Sequence, residues 1–255
     1  MPQLMRTSNP ALGQDTFRVT GVSALGEGMT IAGAVNKTGI LLLLCVASAA
    51  FTWNRFFAAP SVEQGMASVA PLLAIGGIGG FIVALVTIFK KEWSAVTAPI
   101  YALLEGLLLG GISAMFEMRF HGLAIQAVSL TFGTLVVMLI AYRSGLIKVT
   151  DKLRMGIVAA TGGIMVFYLI QFVLGLFGFH AFGAVNGSGP IGIGFSLIVV
   201  AVAALNLVLD FDLIESGARW NAPKYMEWYS GFALLVTLIW LYLEMLRLLA
   251  KFRER

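Results

Sequence analysis

The sequence predicts an all-α membrane protein, a bundle of about seven transmembrane helices with no soluble domain of its own. Three observations carry this expectation. Of 255 residues, 59% are hydrophobic and only 12% are charged, about half the roughly 25% of a soluble domain. The mean hydropathy is +0.91, so too little polar surface exists to coat a water-facing globule of this length. The apolar residues also fall into seven runs, most of them close to the ~20 residues that cross a bilayer core.

In order, the runs are Gly39–Trp53, Val69–Phe89, Ala95–Phe116, Leu123–Tyr142, Met155–Phe177, Ile191–Leu209 and Tyr229–Ala250. The first is short and extends to Phe57 if Arg55 snorkels. Residues 1–36 are polar and rich in Gly, Thr and Ser. They lack the early apolar core of a signal peptide, so they read as a cytoplasmic N-terminal segment before a transmembrane domain at 37–255. Connections are brief, which leaves no room for a second domain between spans.

Basic residues set the expected orientation. With the N-terminus inside, the inner segments hold Arg6, Arg18, Lys37, Lys90, Lys91, Arg143, Lys148, Lys152, Arg154, Arg219 and Lys224. The outer loops before the last run hold only Arg55 and Arg119, and eleven against two is the bias expected of a cytoplasmic N-terminus. Arg247, Lys251, Arg253 and Arg255 oppose it if the last run crosses. Either a seventh span overrides the rule, or the last segment re-enters and keeps the tail inside; seven spans are expected because the run is long enough to cross.

Charged groups at membrane depth cost roughly 2.5–3.5 kcal/mol on insertion scales and are functional candidates by default. Glu105 lies near the middle of the third run, with Tyr101 four residues earlier on the same face. It reads either as a functional acid or as polar glue between helices. The sixth run ends in Asn206-Leu-Val-Leu-Asp-Phe-Asp-Leu-Ile-Glu. Asn206 and Asp210 share a face, whereas Asp212 and Glu215 approach cytoplasmic water. Glu244 and Arg247 are spaced to meet as an i, i+3 pair, which local neutralisation near a membrane boundary explains. Glu227 has the same relation to Lys224, and Gln171 reads as an interhelical hydrogen bond. Gly76/Gly80 and Gly106/Gly110 are Gly-xxx-Gly faces suited to close helix packing.

Several function classes are disfavoured. The net charge of +4 comes from basic residues lying between apolar spans, which is a topology signal rather than a nucleic-acid footprint. A single cysteine, Cys45, allows no internal disulfide. No metalloprotease helix motif, nucleophile elbow or phosphate loop occurs. The only histidines, His121 and His180, fall in outer loops. Catalysis, a resident metal and a cofactor are therefore not expected.

The stretch Pro99-Ile-Tyr-Ala-Leu-Leu-Glu-Gly-Leu-Leu-Leu-Gly-Gly-Ile-Ser, followed by Phe116-Glu117, resembles the third helix of the Bax inhibitor-1/YccA family. Ser8-Asn-Pro-Ala-Leu, Val35-Asn-Lys-Thr-Gly, Asn206-Leu-Val-Leu-Asp-Phe, Pro223-Lys-Tyr-Met-Glu-Trp-Tyr and Trp240-Leu-Tyr-Leu-Glu resemble its bacterial branch in the same order. The resemblance spans nearly the whole chain. It implies six helices around a central seventh, a multi-pass protein of the inner (plasma) membrane, and a pH-sensitive leak. In the family's leak scheme, acids on helices six and seven share a proton and gate a pore. Asp210 matches the helix-six acid. Helix seven has no acid from Trp228 to Leu243, and in Gly231-Phe-Ala-Leu-Leu-Val-Thr the only polar side chain is Thr237.

Two functions follow as expectations. The first is a pH-sensitive leak for calcium or protons past Asp210 and Glu105, with Asp212 and Glu227 as further acids and Tyr101, Asn206 and Thr237 in support. The second is a non-transporting regulator that binds another membrane protein, such as a quality-control protease. The expected partners are the lipid bilayer, calcium or protons, and in the second case that membrane protein; nucleic acid is not among them.

Overall fold

The computed structural model describes residues 28–179 and 182–254. Residues 1–27, with Arg6, Arg18 and the Ser8–Leu12 stretch, lie outside it, as do His180 and Arg255. The described chain forms α1 (Ile31–Phe57), α2 (Val62–Phe89), α3 (Ser94–Arg119), α4 (Leu123–Arg143), α5 (Asp151–Leu176), a four-residue α6 (Gly183–Asn186), α7 (Pro190–Arg219) and α8 (Met226–Arg253). Seven of these, all but α6, are long and apolar enough to cross a membrane. The all-α seven-helix bundle of the sequence reading is therefore the observed fold, with the sixth and seventh runs appearing as α7 and α8.

The helices outrun their apolar cores because capping residues, not hydropathy, fix their starts. Thr30 caps α1, its hydroxyl accepting from the Gly33 N–H at 2.9 Å; the helix thus begins eight residues before Gly39. Ser61 and Thr150 cap α2 and α5 in the same way. Between α3 and α4, Gly122 adopts φ 79°, a left-handed conformation that suits glycine. The Glu117 carboxylate closes this turn by accepting from the Gly122 and Ala124 N–H groups. The α6 turn follows no apolar periodicity and was not expected.

The last helix answers the question left by its basic tail. Met226–Arg253 is one uninterrupted helix of 28 residues, so no re-entrant turn occurs within it. It is also the most enclosed, with 61% of its apolar window buried against 11–44% in the other six.

Two compact units divide the chain, one of residues 28–114 with 212–235, the other of residues 115–211 with 236–254. In the first, the predicted glycine faces are spent on packing. A Cβ on Gly106 would run into the Cys45 carbonyl and the Ser48 hydroxyl, and one on Gly110 into the Ala49 carbonyl. One on Gly76 would lie 2.6 Å from the Leu104 carbonyl oxygen. Helices α1 and α2 thus approach α3 at backbone distance. The start of α8 joins them through Phe232, edge-on to Tyr101 with ring centroids 4.9 Å apart.

In the second unit, aromatic and polar contacts replace the glycines. Phe167 of α5 packs on Phe195 of α7 at 5.0 Å, and Tyr142 of α4 lies 5.9 Å from Phe211. Asn206 of α7 donates to the Thr161 hydroxyl of α5 at 2.8 Å.

Candidate functional site

Four acids sit on or beside the buried faces of these helices, and their surroundings sort them. In the second unit, α7 carries Asp210 and α8 carries Thr237, and the structure brings them together through a side-chain hydrogen bond. The other carboxylate oxygen, Oδ2, is enclosed and has no hydrogen-bond partner among the described residues. An orphaned buried oxygen costs about 1–3 kcal/mol, and more when it carries charge. Asn206, one turn earlier, spends its amide on Thr161 and on the Val202 carbonyl. It braces α7 against α5.

Glu244, read from the sequence as one half of a boundary ion pair, has a further partner on α5. It is 1% exposed, and its Oε1 accepts from the Tyr168 hydroxyl at 3.0 Å and from Arg247 at 2.8 Å. Its Oε2 shares with Asp210 Oδ2 the status of a buried oxygen without a partner among the described residues. The i, i+3 pairing with Arg247 was legible in the sequence. Tyr168, 76 positions away on α5, was not, and it removes the pair from a simple boundary role. Glu244 follows Thr237 by seven positions, two helical turns, which puts both on one face of α8 about 10 Å apart. Lys251 is another seven further along. Its ammonium donates to the Val185 and Gly192 carbonyls and to Ser196 at 2.8–3.0 Å.

A cavity of about 420 Å³ opens at that end of α8, lined by Tyr168, Gln171, Ser196, Arg247, Lys251 and Glu254 among others. The two residues that hold Glu244 Oε1, Tyr168 and Arg247, form part of its wall. Glu244 therefore stands behind a polar opening, while Asp210 lies deeper along the same helix pair.

In the first unit, Tyr101 hydrogen-bonds Glu105 one turn away, as the spacing predicts. Glu105 is half-buried beside Gly80, where an added Cβ would come within 3.2 Å of its Oε1. Glu227 is differently held. It is 1% exposed, and its Oε1 accepts from the Thr30 N–H at 3.0 Å, the Thr30 hydroxyl at 2.9 Å and Lys224 at 2.7 Å. Beside it, the Met29 N–H donates to the Ala222 carbonyl at 2.7 Å and Ser94 to the Tyr225 carbonyl at 2.9 Å. Glu227 thus clasps the entrance of α1 to the α7–α8 turn. Asp212 is half-buried in this unit, and Glu215 forms an exposed ion pair with Arg219 at 3.5 Å. Asp210 belongs to the second unit and Glu105 to the first.

Among the described residues, no three His, Cys, Asp or Glu side chains converge as a metal-binding group would. The sequence profile of the family described as Bax inhibitor 1 like matches residues 9–254. Neither a curated protein nor a solved structure matches the chain.

Proposed function

The chain belongs to the Bax inhibitor 1 like family, and from that premise we propose that it is a pH-sensitive membrane leak for cations, calcium or protons, in which Asp210 is the proton-exchanging acid. The observation that carries this reading is the enclosed Oδ2 of Asp210, which has no partner among the described residues although it sits in a membrane-spanning helix. A charge there is tolerated when water or a cation reaches it. Protonation removes the charge, and the two forms then favour different arrangements of α7 against the Thr237 face of α8. Glu244 supplies the second acid that the segment from Trp228 to Leu243 lacks, and its wall of Tyr168 and Arg247 gives a route from the cavity. The bias of basic residues supports a cytoplasmic N-terminus, and the resemblance to the family's bacterial branch supports an inner-membrane location.

Reconstituted liposomes carrying calcium- and pH-sensitive dyes test the proposal. The parent protein should pass calcium or protons at a rate that changes with pH. Asp210→Asn should lower that rate at least about tenfold, the loss expected when roughly 1.4 kcal/mol of function-specific interaction disappears, and should flatten its pH dependence. Equal flux in Asp210→Asn would remove Asp210 from the pathway. Glu105→Gln separates a second pathway acid, which would lose flux, from an interhelical anchor, which would keep it. The alternative is a regulator of another membrane protein; Gly76, Gly106 and Gly110, which could have met such a partner, pack inside the first unit.

A further inference from the structure

We propose that the paired chambers at the C-terminal end of α8 bind an acidic phospholipid, with its phosphate at Arg247 and Arg119 and an acyl chain along a neighbouring aromatic chamber. The inference rests on the second unit's own geometry and does not need the leak reading. The 420 Å³ cavity shares Tyr168, Gln171, Asn186 and Arg247 with a second one of about 620 Å³, whose remaining wall includes Phe172, Phe179 and Phe182. One chamber is thus polar and basic and the other aromatic, with Arg247 common to both. Each lies within the ~300–1,000 Å³ usual for ligand sites.

Charge selects the class of ligand. Arg119, Arg247 and Lys251 line the polar chamber against Glu254, with Glu244 behind its wall. Three cations against two carboxylates leave one positive charge, which the single negative charge of a phosphodiester neutralises. Lys251 spends its donors on neutral oxygens. Arg247 can recognise phosphate: it donates to Glu244 Oε1 at 2.8 Å, hydrogen-bonds Tyr168 and lies over the Tyr168 ring at 5.1 Å. Most of its five N–H donors remain for the planar, two-pronged contact that guanidinium makes with phosphate. The Arg119–Glu254 pair is 69% and 30% exposed, and such pairs are weak enough to yield to a better anion.

Location selects the lipid over a free anion. Arg119 is the last residue of α3, and Lys251 lies in the last turn of α8. Both therefore sit at span ends, on the side opposite the N-terminus when all seven helices cross, at the depth where phospholipid headgroups lie. Phe172 and Phe179 are each 65% exposed, an apolar track that inorganic phosphate would leave empty and an acyl chain would cover.

The full chain in mild detergent, supplied with equal amounts of phosphatidylglycerol and phosphatidylcholine, is examined by native mass spectrometry. One phosphatidylglycerol should be retained with about tenfold preference. Arg119→Gln should cut that preference roughly fivefold, the weight of one basic residue near a membrane surface. The double variant Arg247→Gln/Glu244→Gln, which removes the buried pair together, should bring it near parity. Arg55→Gln, an exposed basic residue of the first unit, serves as the control and should leave it unchanged. Equal retention of the two lipids overturns the proposal, as does a preference that survives both Arg119→Gln and the double variant. Complete displacement of the lipid by millimolar inorganic phosphate also overturns it, by making the site one for a free anion. If the double variant does not fold, Arg119→Gln decides alone.

Discussion

Glu227 and Glu244 lie on the same helix, each 1% exposed and each paired with a basic residue three positions away. From there they diverge. In the first unit, Glu227 gathers Lys224 and both donors of Thr30 onto one oxygen and ties together segments 197 positions apart. In the second, Glu244 has two donors on one oxygen, none among the described residues on the other, and a cavity on the far side of its partners. Equal burial therefore does not mean equal role. A carboxylate surrounded by fitted donors holds a fold in place, whereas one left partly unsatisfied beside a polar opening keeps a second state within reach.

Removing each acid in turn is the direct way to break this contrast. Glu227→Ala should have the largest effect on stability. It strips the Thr30 N–H and hydroxyl of a charged acceptor in an enclosed site, while the half-exposed Lys224 regains water. A loss of about 3 kcal/mol is expected, or about 6–12 °C in Tm for a chain of this size. The buried thiol of Cys45, the only cysteine, reports it through a thiol-reactive dye during heating in detergent. An unchanged Tm would show that the clasp contributes nothing. Thr30→Val comes next. It removes the hydroxyl that both caps Gly33 and donates to Glu227 but keeps the backbone N–H contact, so about 1–2 kcal/mol should be lost. A drop equal to that of Glu227→Ala would place the whole clasp in the hydroxyl.

Legibility followed sequence distance. The seven spans and the Lys224–Glu227 and Glu244–Arg247 pairs are local, and local spacing reveals them. The link between Asp210 and Thr237 was within reach as well, because each is an isolated polar group in an apolar helix and such groups seek one another. Glu105 with Tyr101 follows from the one-turn spacing. What stayed hidden depends on distant chain: Tyr168 reaches Glu244 from another helix, and Thr30 brings two donors to Glu227 from the far end of the sequence. The chambers beside α8 also escaped notice, because α6 and the carbonyls of Val185 and Gly192 that anchor Lys251 carry no side-chain signal.

Glu244→Gln should have the smallest effect on stability and is therefore the sharpest test of the contrast. The amide keeps an acceptor oxygen for Tyr168 and Arg247, and it removes a charge whose second oxygen had no donor. Arg247, whose side chain is 48% exposed, turns to water at little cost. The two changes oppose each other, so Tm should stay within the equivalent of about 1 kcal/mol of the parent. Flux through liposomes should fall even so, because the negative charge behind the Tyr168–Arg247 wall is gone. A fall in Tm as deep as that of Glu227→Ala, with the flux intact, would make Glu244 a second clasp and erase the difference between the units. An unchanged Tm with a lowered flux would tie the unsatisfied oxygen to function, since the substitution leaves the packing of α8 otherwise as it was.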